Sequence, residues 1–232
     1  MATRKRRAER REQPLSRERI VEAAIELLDA AGEGGLTFRA LAERLSTGPG
    51  AIYWHVAGKD ELLEAATDAV VADALTAAPA GATPRETIRA LALGVFDAVD
   101  AHPWVGNDLS RAPARSPMLR VFERVGRQLQ ALGVAHAAQF TALSALQSYI
   151  LGTGGLNAAN ARAQHLRAPG TDRTEFIDAA ADAWAALDPE EYPFTRGVAE
   201  QLRVHDDRAE FVAGIDIILD GITARWAVAP AD

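Results

Sequence analysis

The chain has 232 residues, 48% hydrophobic and 25% charged, which is enough to bury one sizeable core or two modest ones. It has no cysteine, so disulfides, thiol catalysis and cysteine-ligated zinc or iron–sulfur sites are excluded, and no apolar run of about eighteen residues offers a membrane span. The net charge of −7 is uneven: residues 1–60 carry 11 Lys+Arg against 9 Asp+Glu, and residues 61–232 carry 14 against 23. An acidic body repels nucleic acid, so any such contact must come from the N-terminal part.

The chain opens MATRKRRAERR, with no apolar segment behind the basic residues, so a cytoplasmic protein without a secretory signal is expected. Arg4, Lys5, Arg6, Arg7, Arg10 and Arg11 make residues 1–14 a basic arm, expected to be disordered, which on charge alone is either a solvated tail or a nucleic-acid contact. Ser16 then caps a helix, with Leu15 and Ile20 at staple spacing and an apolar stripe of Ile20, Ala24, Leu27, Leu28 and Ala31 that stops at Gly32. Thr37 caps a second helix, FRALAERL, and Ser46, Thr47 and Gly48 break it. Pro49 suits the first position of a third, about two turns long and ending near Val56. On it Ile52 and Val56 point inward, whereas Gly50, Ala51 and Trp54 face out with Tyr53 and His55 on the flanks. Two short helices around a glycine-containing turn match the helix-turn-helix, whose second helix enters the major groove N-terminus first. Gly50 and Ala51 let the backbone approach base edges, Tyr53 and His55 can donate to phosphates, and Lys59 adds a cation at the start of the next helix.

Helical periodicity continues over about 59–76, 84–101, 116–132, 134–163, 172–187 and 207–226, with prolines 103, 113, 117, 169, 189 and 193 in the gaps. No alternating pattern competes, so the chain reads as all-α, with a DNA-binding domain over 15–63 and a helical effector-binding and dimerisation domain over 64–232. The last helix carries a stripe of Phe211, Ile215, Ile218, Leu219, Ile222 and Trp226, and residues 140–156 form a similarly apolar helix. Such stripes pack either on their own chain or on a partner. Gly214 and Gly221 leave room for a close neighbour.

Catalysis is not expected. The histidines at 55, 102, 136, 165 and 205 include no i, i+4 pair of the kind that holds a metal on a helix, and no nucleophile is paired with a base. His205-Asp206-Asp207 reads as an acidic helix N-terminus, and neither cofactor nor metal is implied.

Residues 16–63, above all LTFRALAERL and IYWHVAGKDELL, resemble the DNA-binding domain of the tetracycline-repressor (TetR) family. The resemblance implies that Arg39, Pro49, Gly50 and Ala51 read bases. It places Thr37, Tyr53, Trp54, His55 and Lys59 on phosphates, with Arg4, Lys5, Arg6 and Arg7 of the arm beside them. Ser46 departs from the pattern, standing where a glycine usually ends the helix, and the recognition helix opens without an amide or hydroxyl side chain. Residues 140–226 resemble the tetracycline-repressor subgroup more weakly, which implies a four-helix homodimer interface built on Leu143, Leu146, Ile150, Phe211, Ile215, Ile218, Leu219 and Ile222. A homodimer reading palindromic half-sites of double-stranded DNA and released by a small-molecule effector is therefore expected. An architectural DNA binder without an effector is the alternative, distinguished by the lack of an internal cavity.

Effector-contacting residues are sought among polar or aromatic side chains on apolar helices: Phe96, His102, Trp104, Asn107, Gln147 and Asn157. The relatives sense tetracycline as a magnesium chelate. Here Leu75 stands near their drug-contacting histidine and residues 151–160 hold no carboxylate, so a metal-free, largely apolar effector is expected. Asp97, Asp100 and Asp108 could also meet a cationic ligand, or simply be solvated.

Overall fold

The computed structural model describes residues 14–76, 80–111, 116–165 and 173–226. Twelve helices and no strand occur among them. The first, α1 (Arg17–Gly35), begins where the Ser16 hydroxyl accepts from the Arg19 N–H at 3.3 Å. Its helical geometry breaks at Gly32, which sits at φ 62°, a conformation that favours glycine. Thr37 likewise accepts from the Ala40 N–H at 3.1 Å and starts α2 (Phe38–Leu45).

Ser46 ends α2 in the left-handed region, at φ 54°, with its N–H turned back to the Ala42 and Glu43 carbonyls. That conformation costs a residue with a Cβ about 1–2 kcal/mol, and no other non-glycine among the described residues adopts it. Ser46→Gly is therefore expected to stabilise the fold by about 0.5–1 kcal/mol, read as a rise of a few degrees in melting temperature. An unchanged or lower melting temperature would show that the serine is relaxed there.

The third helix, α3, covers only Pro49–Tyr53, shorter than the expected two turns. The His55 and Val56 N–H groups both close on the Ile52 carbonyl, at 2.9 and 3.2 Å, and this tight turn sends Val56 into the core. Helix α4 (Lys59–Thr76) buries Leu62, Leu63, Ala66 and Val71 and leads into the second half of the molecule. Then come α5 (Pro84–Ala101), opened by a capping box between Thr83 and Glu86, α6 (Pro103–Arg111), α7 (Ser116–Ala131) and α8 (His136–His165). The chain continues through α9 (Arg173–Ala185), α10 (Pro193–Gly197), α11 (Ala199–Arg203) and α12 (Asp207–Trp226).

Three of these, α6, α10 and α11, were not expected. Pro103 and Pro193 read as breaks, yet each occupies the first turn of a helix, where the missing N–H removes no hydrogen bond. Helices α9–α11 fold chiefly on one another, tied by Arg203 to Asp178, Asp182 and Glu200 and by Arg196 to the Ala185 and Leu187 carbonyls.

One apolar cluster runs from Ile20 in α1 to Ile222 in α12, so the two halves share a core. Small residues set the close crossings. A Cβ on Gly94 would lie 2.8 Å from the Ala74 Cα, bringing α5 against α4, and one on Gly214 would overlap the Tyr149 hydroxyl, bringing α12 against α8 of the same chain. Gly214 thus makes room for Tyr149, which stacks on Phe211 with ring centroids 5.6 Å apart and hydrogen-bonds the Glu210 and Phe211 carbonyls.

Candidate DNA-binding face and effector cavity

The helix-turn-helix is held by contacts that leave one face free. Tyr53 is 56% exposed but not loose: its ring stacks on Phe38 at 4.3 Å and 6°, locking α3 to α2. Trp54 is 89% exposed, and His55 is half-buried. Arg39 is exposed on α2 and among the described residues pairs along its own helix, with Glu43 at 3.1 Å. Such a surface pair is worth well under about 1 kcal/mol, so the guanidinium can be redirected. Pro49 and Gly50 are exposed, and Ala51 is half-buried. Gly50 has neither a left-handed φ nor any atom within 4 Å of where a Cβ would stand. Among the described residues nothing requires a glycine at that position.

Behind this face, Arg17 donates to Glu61 at 2.6 Å and to the His55 carbonyl at 3.3 Å, joining α1, the end of α3 and α4. The other Glu61 oxygen accepts from the Ala57 N–H at 2.6 Å; that bond first, then Arg17, holds its carboxyl below the usual carboxylate range. Arg44 pairs with Glu26 across α2 and α1. Lys59 donates to the Glu33 carbonyl at 2.5 Å, so its ammonium is fixed at the end of α1, and Thr37 is engaged as a cap. Sequence reasoning missed Arg17, Glu61 and Phe38. Arg17 carried one signal, a cation in the first turn of a helix whose dipole disfavours it there. Arg4, Lys5, Arg6 and Arg7 lie outside the described residues.

In the second half, α5–α8 line a narrow apolar cavity of about 10 Å³, the space of a single water-sized sphere, so an effector enters only as these helices part. Its walls are Val95 of α5, Leu109 of α6, Met118, Val121, Phe122 and Val125 of α7, and Leu143, Leu146, Gln147, Ile150 and Leu151 of α8. Among the described residues of the wall, Gln147 is the one side chain that can hydrogen-bond.

The expected effector residues fare unequally. Gln147 lines the cavity, but Phe96 faces the other side of α5 and stacks on Phe211 at 4.7 Å, because consecutive residues on a helix diverge by about 100°. His102 and Trp104 also lie away from it: His102 Nδ1 is 2.7 Å and Trp104 Nε1 2.8 Å from one oxygen of Asp29 in α1. Asn107 is half-buried and not in the wall, and the Asn157 side chain lies outside the described residues. Of the acids that could meet a cation, Asp97 pairs with Arg208 at 3.1 Å, Asp108 accepts from Thr67 at 2.7 Å, and Asp100 is exposed; none lines the cavity.

The expected dimer residues need a larger correction. Leu146, Ile150, Phe211, Ile215, Leu219 and Ile222 are buried in the chain's own core, and Leu143 and Ile218 are half-buried against it. A partner cannot cover side chains already covered. The faces of α8 and α12 left outside carry Phe140, Thr141, Ala145, Ser148 and Gly152 on the first, and Ala213, Ile217, Gly221 and Ala224 on the second. Phe140 is 78% and Ile217 72% exposed. Elsewhere, Asp206 accepts from the Arg208 and Ala209 N–H groups and so caps α12. No cluster of three metal-ligating side chains occurs among the described residues, nor any helix long and apolar enough to cross a membrane.

Residues 20–66 match the family model for bacterial regulatory proteins of the tetR family, and residues 78–226 match that for the tetracyclin repressor-like C-terminal domain. The chain belongs to the TetR family. It is a helix-turn-helix transcriptional regulator. Among its relatives, the HTH-type transcriptional repressor DrrR1 of Streptomyces coeruleorubidus is 28% identical over 218 residues, covering 90% of this chain and 77% of the other. The transcriptional regulator SCO7222, a TetR from Streptomyces coelicolor, superposes with a TM-score of 0.82 at 58% identity, covering 91% of this chain and 99% of that one. ActR from S. coelicolor, in its complex with actinorhodin, shares the fold, with a TM-score of 0.71 at 24% identity over 91% of this chain and 98% of that one.

Proposed function

We propose that the protein works in the cytoplasm as a homodimer that holds palindromic DNA half-sites and leaves them when a metal-free, apolar molecule enters the cavity between α5 and α8. The observation that carries this reading is the position of α6. Leu109 of that helix lines the cavity, Asp108 binds Thr67, which is fully buried on α4, and Trp104 with the adjacent His102 binds Asp29 on α1. One nine-residue helix thus touches the effector site and both helices that carry the DNA-binding domain. An effector that shifts α6 shifts them too, and release follows if the resulting state fits the half-site spacing less well. The cavity also favours a sensor over an architectural binder, which has no use for one.

Dimerisation follows through the outward faces of α8 and α12, where small residues allow close approach and Phe140 and Ile217 supply apolar area. On the DNA face, Arg39 is the hydrogen-bonding base reader, while Pro49, Gly50 and Ala51 bring the backbone against base edges. Thr37, Tyr53, Trp54, His55 and Lys59 hold phosphates.

Selection from a random duplex pool, followed by binding titrations on the selected and a scrambled sequence, tests the assignment. Arg39→Ala is expected to lose about 1–3 kcal/mol on the selected site and to relax its base preference. Lys59→Ala should weaken both sequences alike and lower the slope of log affinity against log salt by about one. Equal losses on both sequences for Arg39→Ala would remove it as a reader, and failure of the pool to enrich any sequence would overturn the operator reading itself.

A further inference from the structure

A second depression lies between the N-terminal halves of α1 and α4, outside the effector cavity. Its floor is Val21, Ile25, Ala65 and Ala69, and its walls are Glu18, Glu22, Glu61, Glu64, Asp68 and Arg17. Five carboxylates and the Arg17 guanidinium therefore line the apolar floor. Arg17 answers Glu61, and Arg120 answers Asp68 at 2.5 Å. Glu22 has no ion pair or hydrogen bond among the described residues. A groove of this charge next to the DNA-binding face works against DNA association unless cations cover it.

The chain itself carries such cations. Residues 1–13 hold Arg4, Lys5, Arg6, Arg7, Arg10 and Arg11 against Glu9 and Glu12, and they join the described chain at Pro14, three residues before the groove's first wall residue, Arg17. From Arg17 to Ile25 the groove runs about 12 Å along α1, at about 1.5 Å per residue. An extended segment spans that with about four residues, at about 3.3 Å each, so the arm is long enough to turn back and fill it.

We propose that residues 1–13 dock, in the absence of DNA, in the acidic groove between α1 and α4 of their own chain. The arm then has two anionic sites that it cannot occupy together. On a specific site, where the helix-turn-helix is already seated, the denser charge of the duplex draws the arm away. On other DNA the groove keeps it, and non-specific binding is the weaker for it. This goes beyond the repressor reading and does not depend on any effector.

The full chain, which has no cysteine of its own, takes a single nitroxide label at Ala8→Cys. Methyl signals of Val21, Ile25, Ala65 and Ala69 are expected to broaden, and those of Ala213 and Ala224 on α12 to stay sharp. The contrast should vanish on adding selected operator DNA and in the variant Glu22→Lys/Glu64→Lys. Equal broadening of both sets, or none at the groove, overturns the docking. Broadening seen only when the label is on one chain and the methyl groups on another shows the arm in a second copy's groove, and overturns the own-chain assignment. A second readout needs no label. Glu22→Lys/Glu64→Lys should raise affinity for scrambled DNA about tenfold in the full chain but only about threefold once residues 1–13 are deleted. An equal gain in both backgrounds would reduce the groove to a general electrostatic effect and sink the proposal.

Discussion

Ile217→Asp is expected to turn the protein into a folded monomer and to lower its affinity for selected operator DNA at least about 100-fold. Ile217 lies on the outward face of α12, in line with Ala213, Gly221 and Ala224, and 72% of it is exposed in the single chain. In a two-fold interface the same residue is buried twice, so the substitution places two carboxylates without partners in an apolar contact, at several kcal/mol. Operator binding falls with the dimer, because two helix-turn-helix units at a fixed spacing engage the DNA together and one alone engages a half-site only.

Ile215→Asp provides the contrast. Ile215 is buried within the chain, so an aspartate there should unfold the body itself, with loss of helical circular dichroism that Ile217→Asp does not show. Sedimentation velocity separates the outcomes. An intact dimer for Ile217→Asp places the interface elsewhere, and a folded chain for Ile215→Asp contradicts its place in the core.

These two neighbours also show how far the sequence could be read. Periodicity marks the side of a helix that is buried but not what buries it, so the stripe from Phe211 to Ile222 looked like a partner surface and is in fact covered by α8 and α5 of the same chain. The exposed side, rich in alanine and glycine, gave no apolar signal. The DNA-binding half was far more legible, because its determinants are local: Ser16 and Thr37 cap through their own side chains, Pro49 starts α3, and Ile52 and Val56 alternate inward within one turn. The stacking of Tyr53 on Phe38 was hidden, since fourteen intervening residues separate two rings that only the fold brings together. Cavity walls were hidden for a different reason. Leu, Val and Met around an empty space have the same sequence pattern as Leu, Val and Met in a filled core, so choosing by polarity found Gln147 and missed its ten apolar neighbours.

That lining leads to the second large effect, which is selectivity for the effector. Tetracycline with magnesium is expected to leave the protein–DNA complex intact at concentrations where neutral aromatic compounds dissolve it, a difference of at least about 100-fold in the concentration needed. A magnesium chelate brings a hard cation that takes oxygen ligands in near-octahedral geometry and gives up water reluctantly. Among the described residues the cavity offers it one amide, Gln147, and neither carboxylate nor imidazole. Leu75 is buried, and its carbonyl is already taken by Arg124. Burying the chelate's charge among leucine and valine side chains without compensating ligands would cost several kcal/mol, whereas a neutral ring gains from the same surface. The environment-sensitive dye N-phenyl-1-naphthylamine reports entry directly, and Val125→Phe, which fills part of the space, is expected to weaken its binding at least about tenfold. The same variant should bind operator normally but no longer be released by neutral compounds. Two results would overturn the assignment: release by tetracycline that disappears when a chelator removes magnesium, or a Val125→Phe chain that still takes up the dye and still lets go of DNA. Either would place the effector somewhere other than between α5 and α8.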